Sequence, residues 1–78
     1  MTGTETLHYS MVIAWSDEDQ AFIVTVPELP GCITHGRTYE DAVAMGHEAI
    51  AGFIEALRTW GDPVPAPRTY ADYAAVSA

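Results

Sequence analysis

Three consecutive carboxylates, Asp17, Glu18 and Asp19, are the residues whose type and spacing most directly suggest chemistry. Neighbouring carboxylates can hold a divalent metal ion or carry out acid–base catalysis. A metal-dependent nuclease, however, needs carboxylates that separate elements bring together, whereas these three follow one another in a predicted turn. We therefore predict a solvated turn with no metal site and no catalytic role.

The histidines and the single cysteine are the other candidates for chemistry. His8, His35 and His47 are not spaced as ligands on one helix face, and together with Cys32 they match no zinc motif. Cys32 has no basic neighbour or helix start that would lower the pKa of its thiol, so we predict a buried thiol. The sequence also lacks a nucleophile motif and a phosphate loop. We therefore expect no enzymatic activity and no cofactor.

The charge of the chain favours one class of partner and disfavours another. Three arginines, no lysine and eleven acidic residues give a net charge of −8. Direct nucleic acid binding is disfavoured because the phosphates would be repelled, whereas a basic protein would be attracted. Solubility alone is the other explanation of this charge.

The length of the chain and its cysteine content indicate how many domains it forms and in which cellular compartment we expect it. A chain of 78 residues allows one domain with a small core, so we expect self-association as a dimer or tetramer. No apolar run reaches the roughly 18 residues of a membrane span, and the first residues have no signal-peptide features. One cysteine excludes an internal disulfide. We expect a cytoplasmic protein that does not contact membranes.

Apolar periodicity predicts the elements that must position these side chains. Alternating residues indicate strands at 7–15, 21–26 and 32–35, and three- and four-residue spacing indicates a helix at 39–60. The predicted fold is α+β with two layers, β-β-β-α and an optional short strand near Val64, in which one long helix covers a three-stranded antiparallel sheet. We expect a disordered segment at 1–6, a domain at 7–66 and a tail at 67–78 that either frays or forms a short helical turn.

The segment after the second predicted strand carries a recognisable order of residues. It consists of Pro27, Glu28, Leu29, Pro30, Gly31 and Cys32, followed by Gly36 and Thr38 and by Glu40, Asp41 and Ala42. This order closely resembles the HicB-like antitoxin family over about residues 9–65. The resemblance implies a partly degenerate ribonuclease-H-like fold without nuclease activity. By position it implies that five residues are scaffold: Pro27, Pro30, Gly31, Gly36 and Thr38.

The resemblance also implies a function. Such domains bind and neutralise a small basic toxin that cleaves mRNA, and they assemble into dimers or tetramers. We therefore predict a non-catalytic antitoxin of a type II toxin–antitoxin system, whose contacts with the toxin are Asp17, Glu18, Asp19 and Glu28. Relatives usually continue into a DNA-binding domain, which we do not expect in the tail at 67–78. The alternative is an orphan oligomeric scaffold, or a domain that binds a small ligand, with no toxin partner. Four large aromatics are candidates for a subunit interface: Trp15, Trp60, Tyr70 and Tyr73.

Overall fold

The computed structural model describes the backbone of residues 8–77 and the side chains of residues 8–74. Its elements, in chain order, are β1 (Val12–Ser16), β2 (Ala21–Thr25), β3 (Ile33–Gly36), α1 (Tyr39–Thr59) and α2 (Tyr70–Ser77). The strands form one antiparallel sheet in the order β1-β2-β3, and α1 packs on one face of it. The predicted α+β fold is confirmed. The segment predicted to be disordered, 1–6, lies outside the described residues.

The strand register decides which side chains lie under the helix. Ile13 pairs with Val24 and Trp15 pairs with Phe22, so these four side chains share one face of the sheet. Val24 is fully buried because α1 lies directly above it. The odd-numbered residues of β1 and the even-numbered residues of β2 therefore face the helix, and their neighbours face away from it.

Specific local interactions set both ends of α1. The Thr38 hydroxyl accepts the Asp41 N–H at 3.0 Å, and the Asp41 carboxylate accepts the Arg37 N–H at 3.1 Å, which satisfies donors that a helix start leaves free. At the other end Gly61 has a φ of +74°, and its N–H bonds to the Arg58 carbonyl while the Asp62 N–H bonds to the Leu57 carbonyl. These two bonds form a Schellman motif, which ends the helix.

The core lies between the inner face of α1 and the segment that joins β2 to β3. Its largest fully buried side chains are Leu29, Ile50, Val24 and Val26. The segment turns tightly through three backbone hydrogen bonds among Val26, Leu29 and Cys32. These bonds point Leu29 inwards. No helix within residues 8–77 is long and apolar enough to cross a membrane.

Two elements differ from the sequence predictions, and the tail adopts one of its predicted states. β1 begins at Val12 rather than at residue 7, because the Ser10 N–H bonds to a carboxylate instead of a neighbouring strand. Residues 62–69 contain no strand near Val64, a stretch where prolines remove ladder donors. The tail forms helix α2 at Tyr70–Ser77, which was one of its two predicted states.

The close approach of α1 to β3 can be tested at Gly36. An alanine Cβ there would lie 2.5 Å from the Ala42 nitrogen, and Ala42 is itself fully buried. We expect Gly36→Ala to lower the free energy of unfolding by about 1–3 kcal/mol, since backbone atoms must move to make room. Urea denaturation measures this change.

Gly52→Ala is the matched control. Gly52 lies within α1, and nothing stands within 4 Å of an added Cβ. We expect this substitution to stabilise the protein by roughly 0.5–1 kcal/mol, because alanine favours a helix interior. Equal effects of the two substitutions would contradict the close contact between α1 and β3.

Candidate partner-binding surface

The turn between β1 and β2 holds the three predicted contact carboxylates. Asp17, Glu18 and Asp19 are all exposed in residues 17–20, and Gln20 completes the turn with a φ of +53°. The Ser16 hydroxyl donates to the Asp19 carboxylate at 3.0 Å and accepts the Asp19 N–H at 3.2 Å. These bonds fix the turn while leaving carboxylate oxygens exposed to solvent.

A row of aromatic rings lies beside this turn. Trp15 meets Phe22 edge-on at 5.1 Å between ring centroids, and Phe22 meets Tyr39 at 4.4 Å. The Trp15 indole N–H donates to the Asp17 carboxylate at 2.9 Å, which joins the row to the turn. Trp15 is 47% exposed and Tyr39 is 64% exposed. We call Trp15, Phe22, Tyr39 and the three turn carboxylates the acid–aromatic corner.

This corner combines two groups that recognise cations. Carboxylates accept charge-assisted hydrogen bonds from arginine and lysine, and exposed faces of tryptophan and tyrosine attract the same cations. Tryptophan and tyrosine are also enriched among the residues that dominate binding energy in protein interfaces. The corner is therefore chemically suited to a basic protein surface.

The sequence did not indicate the full corner. Phe22 was identified only as a strand residue and Tyr39 only as the first residue of the helix. The strand register pairs Trp15 with Phe22, and the start of α1 lays Tyr39 on Phe22. Predicting the hairpin pairing residue by residue would have revealed the first contact, but the second depends on where α1 crosses the sheet.

Glu28, the fourth predicted contact, lies elsewhere and is 7% exposed. Its carboxylate accepts the Ser10 hydroxyl at 2.8 Å, the Ser10 N–H at 3.1 Å and the Arg68 N–H at 2.8 Å. We call Ser10, Glu28 and Arg68 the Glu28 clasp. The clasp ties the segment before β1 to the segment after α1, so this carboxylate is occupied within the chain.

Two tyrosines reinforce the clasp. The Tyr73 hydroxyl donates to the Ser10 hydroxyl oxygen at 2.9 Å, and the Tyr9 hydroxyl donates to the Pro65 carbonyl. The Arg68 guanidinium lies 5.8 Å from the centre of the Tyr73 ring. Helix α2 and the proline-containing segment before it are thus fastened to the residues that precede β1.

The electrostatics of Glu28 follow from these contacts. Burial alone raises the pKa of a carboxyl group, but the hydrogen bonds from Arg68 and Ser10 stabilise the charged form. The net effect lowers the pKa of Glu28 below its ordinary value. A buried carboxylate with its acceptors filled by backbone and hydroxyl donors remains ionised at neutral pH.

The scaffold residues lie in the turns around the core. Pro27, Pro30 and Gly31 belong to the segment between β2 and β3, where Gly31 has a φ of +91° that favours glycine. Gly36 ends β3 beneath α1, and Thr38 caps α1. These residues shape the backbone, and none belongs to the acid–aromatic corner.

The other candidates for chemistry are dispersed. No group of three or more histidine, cysteine, aspartate or glutamate side chains in the described part of the chain could hold a metal ion. Cys32 is buried in the core, and burial raises the pKa of its thiol. A buried thiol of raised pKa is a poor nucleophile.

Comparison with known proteins identifies the family of the chain. The sequence matches the family model of the HicB-like antitoxin of bacterial toxin–antitoxin systems over residues 9–77. The chain belongs to the HicB-like antitoxin family. This confirms the resemblance found in the sequence, and the match includes α2. The family is generally non-catalytic.

Two archaeal relatives are also similar. The UPF0150 protein Ta0767 of Thermoplasma acidophilum is 39% identical over 59 residues, which cover 76% of this chain and 84% of the relative. A UPF0150 protein of Archaeoglobus fulgidus is 31% identical over 51 residues, covering 65% of this chain and 74% of the relative. Their names state no activity.

The Glu28 clasp predicts a measurable loss of stability. Glu28→Gln keeps the shape but places an amide donor against the N–H groups of Ser10 and Arg68. We expect the free energy of unfolding at pH 7 to fall by about 1–3 kcal/mol. Urea denaturation at pH 7 measures the loss, with Glu18→Gln on the exposed turn as the control, for which we expect a change within about 0.5 kcal/mol.

The lowered pKa of Glu28 predicts how the stability loss in Glu28→Gln depends on pH. Because the folded-state pKa of Glu28 lies below its ordinary value of 4.5, its stabilising effect is complete above that pH and is lost as pH falls through the folded-state pKa. The stability difference between the unsubstituted protein and Glu28→Gln should therefore shrink as the pH falls below about 4.5. A constant difference over that range would contradict an ionised, hydrogen-bonded Glu28.

Proposed function

We propose that this protein is the antitoxin of a type II system and neutralises a small basic toxin that cleaves mRNA. The acid–aromatic corner is the observation that carries this proposal. Membership of the HicB-like antitoxin family supports a toxin as the partner, and the net charge of −8 supports a basic one. Because the toxin acts on mRNA, we place the encounter in the cytoplasm.

The proposed mechanism is competition for the same cations. A ribonuclease must bind the phosphates of its substrate, and it does so largely through arginine and lysine. The carboxylates of Asp17, Glu18 and Asp19 offer those cations a competing set of anionic oxygens, while Trp15 and Tyr39 offer ring faces. Such occlusion needs no catalytic group on the antitoxin.

The exposure of the corner determines what each part contributes. Carboxylates at a solvent-exposed rim mainly accelerate association and set partner choice, and salt weakens their effect. Partly exposed aromatic rings lose water when covered, so they contribute more to the lifetime of the complex. Glu28 is left out of the proposed contact because its carboxylate is buried in the clasp.

Self-association is a second part of the proposal. A domain with only a small set of fully buried large side chains gains stability from covering further apolar surface. The orphan scaffold remains the alternative function, and the binding experiment below decides between the two.

Binding can be tested by co-expressing the chain with any small basic protein encoded beside its gene. We expect co-purification, inhibition of RNA cleavage by that protein, and an affinity that falls with salt. Trp15→Ala should weaken binding by roughly thirtyfold, equivalent to about 2 kcal/mol. Calorimetry measures the affinity, and circular dichroism verifies that each variant is folded.

Trp60→Ala is the matched control. Trp60 is 75% exposed and follows the last residue of α1, whereas Tyr39 begins that helix. The 21 residues of α1 separate the two ends by roughly 30 Å. We expect Trp60→Ala to leave the affinity unchanged.

A third variant tests the carboxylates without removing any packing. Asp17→Asn, Glu18→Gln and Asp19→Asn together should slow association at least tenfold at low salt and flatten the salt dependence. If the folded protein binds no basic protein encoded beside its gene, the result favours the alternative function, an orphan scaffold with no toxin partner. If Trp15→Ala and the charge variant both bind normally, the toxin contact lies elsewhere.

A further inference from the structure

The face of the sheet opposite α1 is apolar and uncovered in the described part of the chain. Its side chains come from all three strands, and five of the six are exposed, with Ile23 half-buried. They are Val12, Ala14, Ile23, Thr25, Ile33 and His35. Val12 is 54% exposed and Ile33 is 60% exposed, at opposite edges of the sheet. We call these six residues the open sheet face.

The composition of this face is that of a covered surface. An antiparallel sheet with one face in water alternates apolar residues with polar ones along each strand. β1 and β2 instead read as nearly continuous apolar runs, VIAWS and AFIVT, with β-branched side chains on both faces. Strands that read this way are normally buried on both sides. The open sheet face therefore lacks its partner layer.

The charge distribution points to what that layer is. The open sheet face carries no carboxylate and no arginine, although the chain as a whole has a net charge of −8. A basic partner would gain no ion pair there, and its own charges would lose water without compensation. A second copy of the chain presents a matching neutral apolar face, and its carboxylates need not be buried. We propose that the open sheet face binds the open sheet face of a second copy in a two-fold symmetric dimer.

The geometry suits such a dimer. Two sheets pack face to face about 10 Å apart with their inner side chains interdigitated. In a two-fold pair the central strand lies nearest the axis, so Ile23 becomes buried and the two edge residues, Val12 and Ile33, complete the apolar layer. Both faces of β2 are then covered, one by α1 and the other by the second copy, so each subunit gains a second buried apolar layer.

The size of the face sets the strength of the pairing. Three strands about 4.8 Å apart and five residues at about 3.4 Å each give a flat area of roughly 14 by 17 Å. This flat area of roughly 240 Å² is well below the roughly 800 Å² of accessible surface that each partner covers in a standard interface, so the pairing should be weak. The dimer should therefore dissociate on dilution through the micromolar range.

The dimer is compatible with toxin binding but does not depend on it. Trp15 and Phe22 face α1, on the side of the sheet away from the open sheet face. Pairing through the open face leaves both acid–aromatic corners exposed. The experiment uses the isolated chain, so its failure says nothing about the toxin.

Sedimentation velocity from about 1 to 200 µM tests the dimer, with a monomer of 8.4 kDa as the reference. The unsubstituted chain should approach twice that mass at the upper concentrations. Ile33→Glu should remain a monomer, because each subunit would bury a like charge against its partner. Val12→Glu, at the other edge of the same face, should do the same.

Val43→Glu is the matched control, since Val43 is 40% exposed on α1 and the change in charge is identical. It should dimerise like the unsubstituted chain. Circular dichroism shows whether the variants fold, and both substituted strand positions are more than half exposed, so folding should persist. A monomeric unsubstituted chain at 200 µM would overturn the proposal. So would a dimer that survives both strand substitutions, or one that only Ile33→Glu dissociates, which would indicate pairing along the β3 edge.

Discussion

The close approach of α1 to the sheet is the constraint on which most of this structure depends. Gly36 leaves the space that the backbone of Ala42 occupies, and Gly46 leaves the space for Met11 and Val24. With larger residues at these positions the helix would stand further from the sheet, and the packing that buries Ile50 and Ile54 would loosen. The same approach lays Tyr39, the first residue of the helix, on Phe22. The aromatic part of the acid–aromatic corner thus follows from how tightly the core closes.

The Glu28 clasp complements this contact by fixing the chain segments that lie outside the sheet. A buried carboxylate is costly unless its oxygens are filled, and here the donors come from two segments distant in sequence, at Ser10 and Arg68. One side chain thereby holds the entry to β1 and the approach to α2. The hydrogen bonds to its carboxylate explain why a charged residue can lie buried between two prolines at the base of the core.

Much of this fold could be predicted from sequence because its signals are local. Thr38 and Asp41 predicted the start of α1, and Gly61 predicted its end. The β-branched and aromatic residues on either side of the polar turn predicted the hairpin. The departures at Ser10 and Glu28 involve contacts distant in sequence. Nothing near Ser10 indicates that its N–H will bond to Glu28, so the first strand was predicted too long. The burial of Glu28 could not be predicted for the same reason, since its carboxylate accepts the N–H of Arg68, forty residues later.

The distribution of charge between the two sides of the sheet reconciles two demands on an acidic chain. A net charge of −8 opposes self-association, yet a core this small favours it. The conflict is resolved if the carboxylates lie where water and salt screen them, since interactions between exposed charges fade over about 8–10 Å at physiological ionic strength. Asp17, Glu18 and Asp19 lie in a turn at the end of the hairpin, and the open sheet face carries no carboxylate. The acidic corner can then attract a basic partner while the neutral face meets its own copy, and neither surface weakens the other.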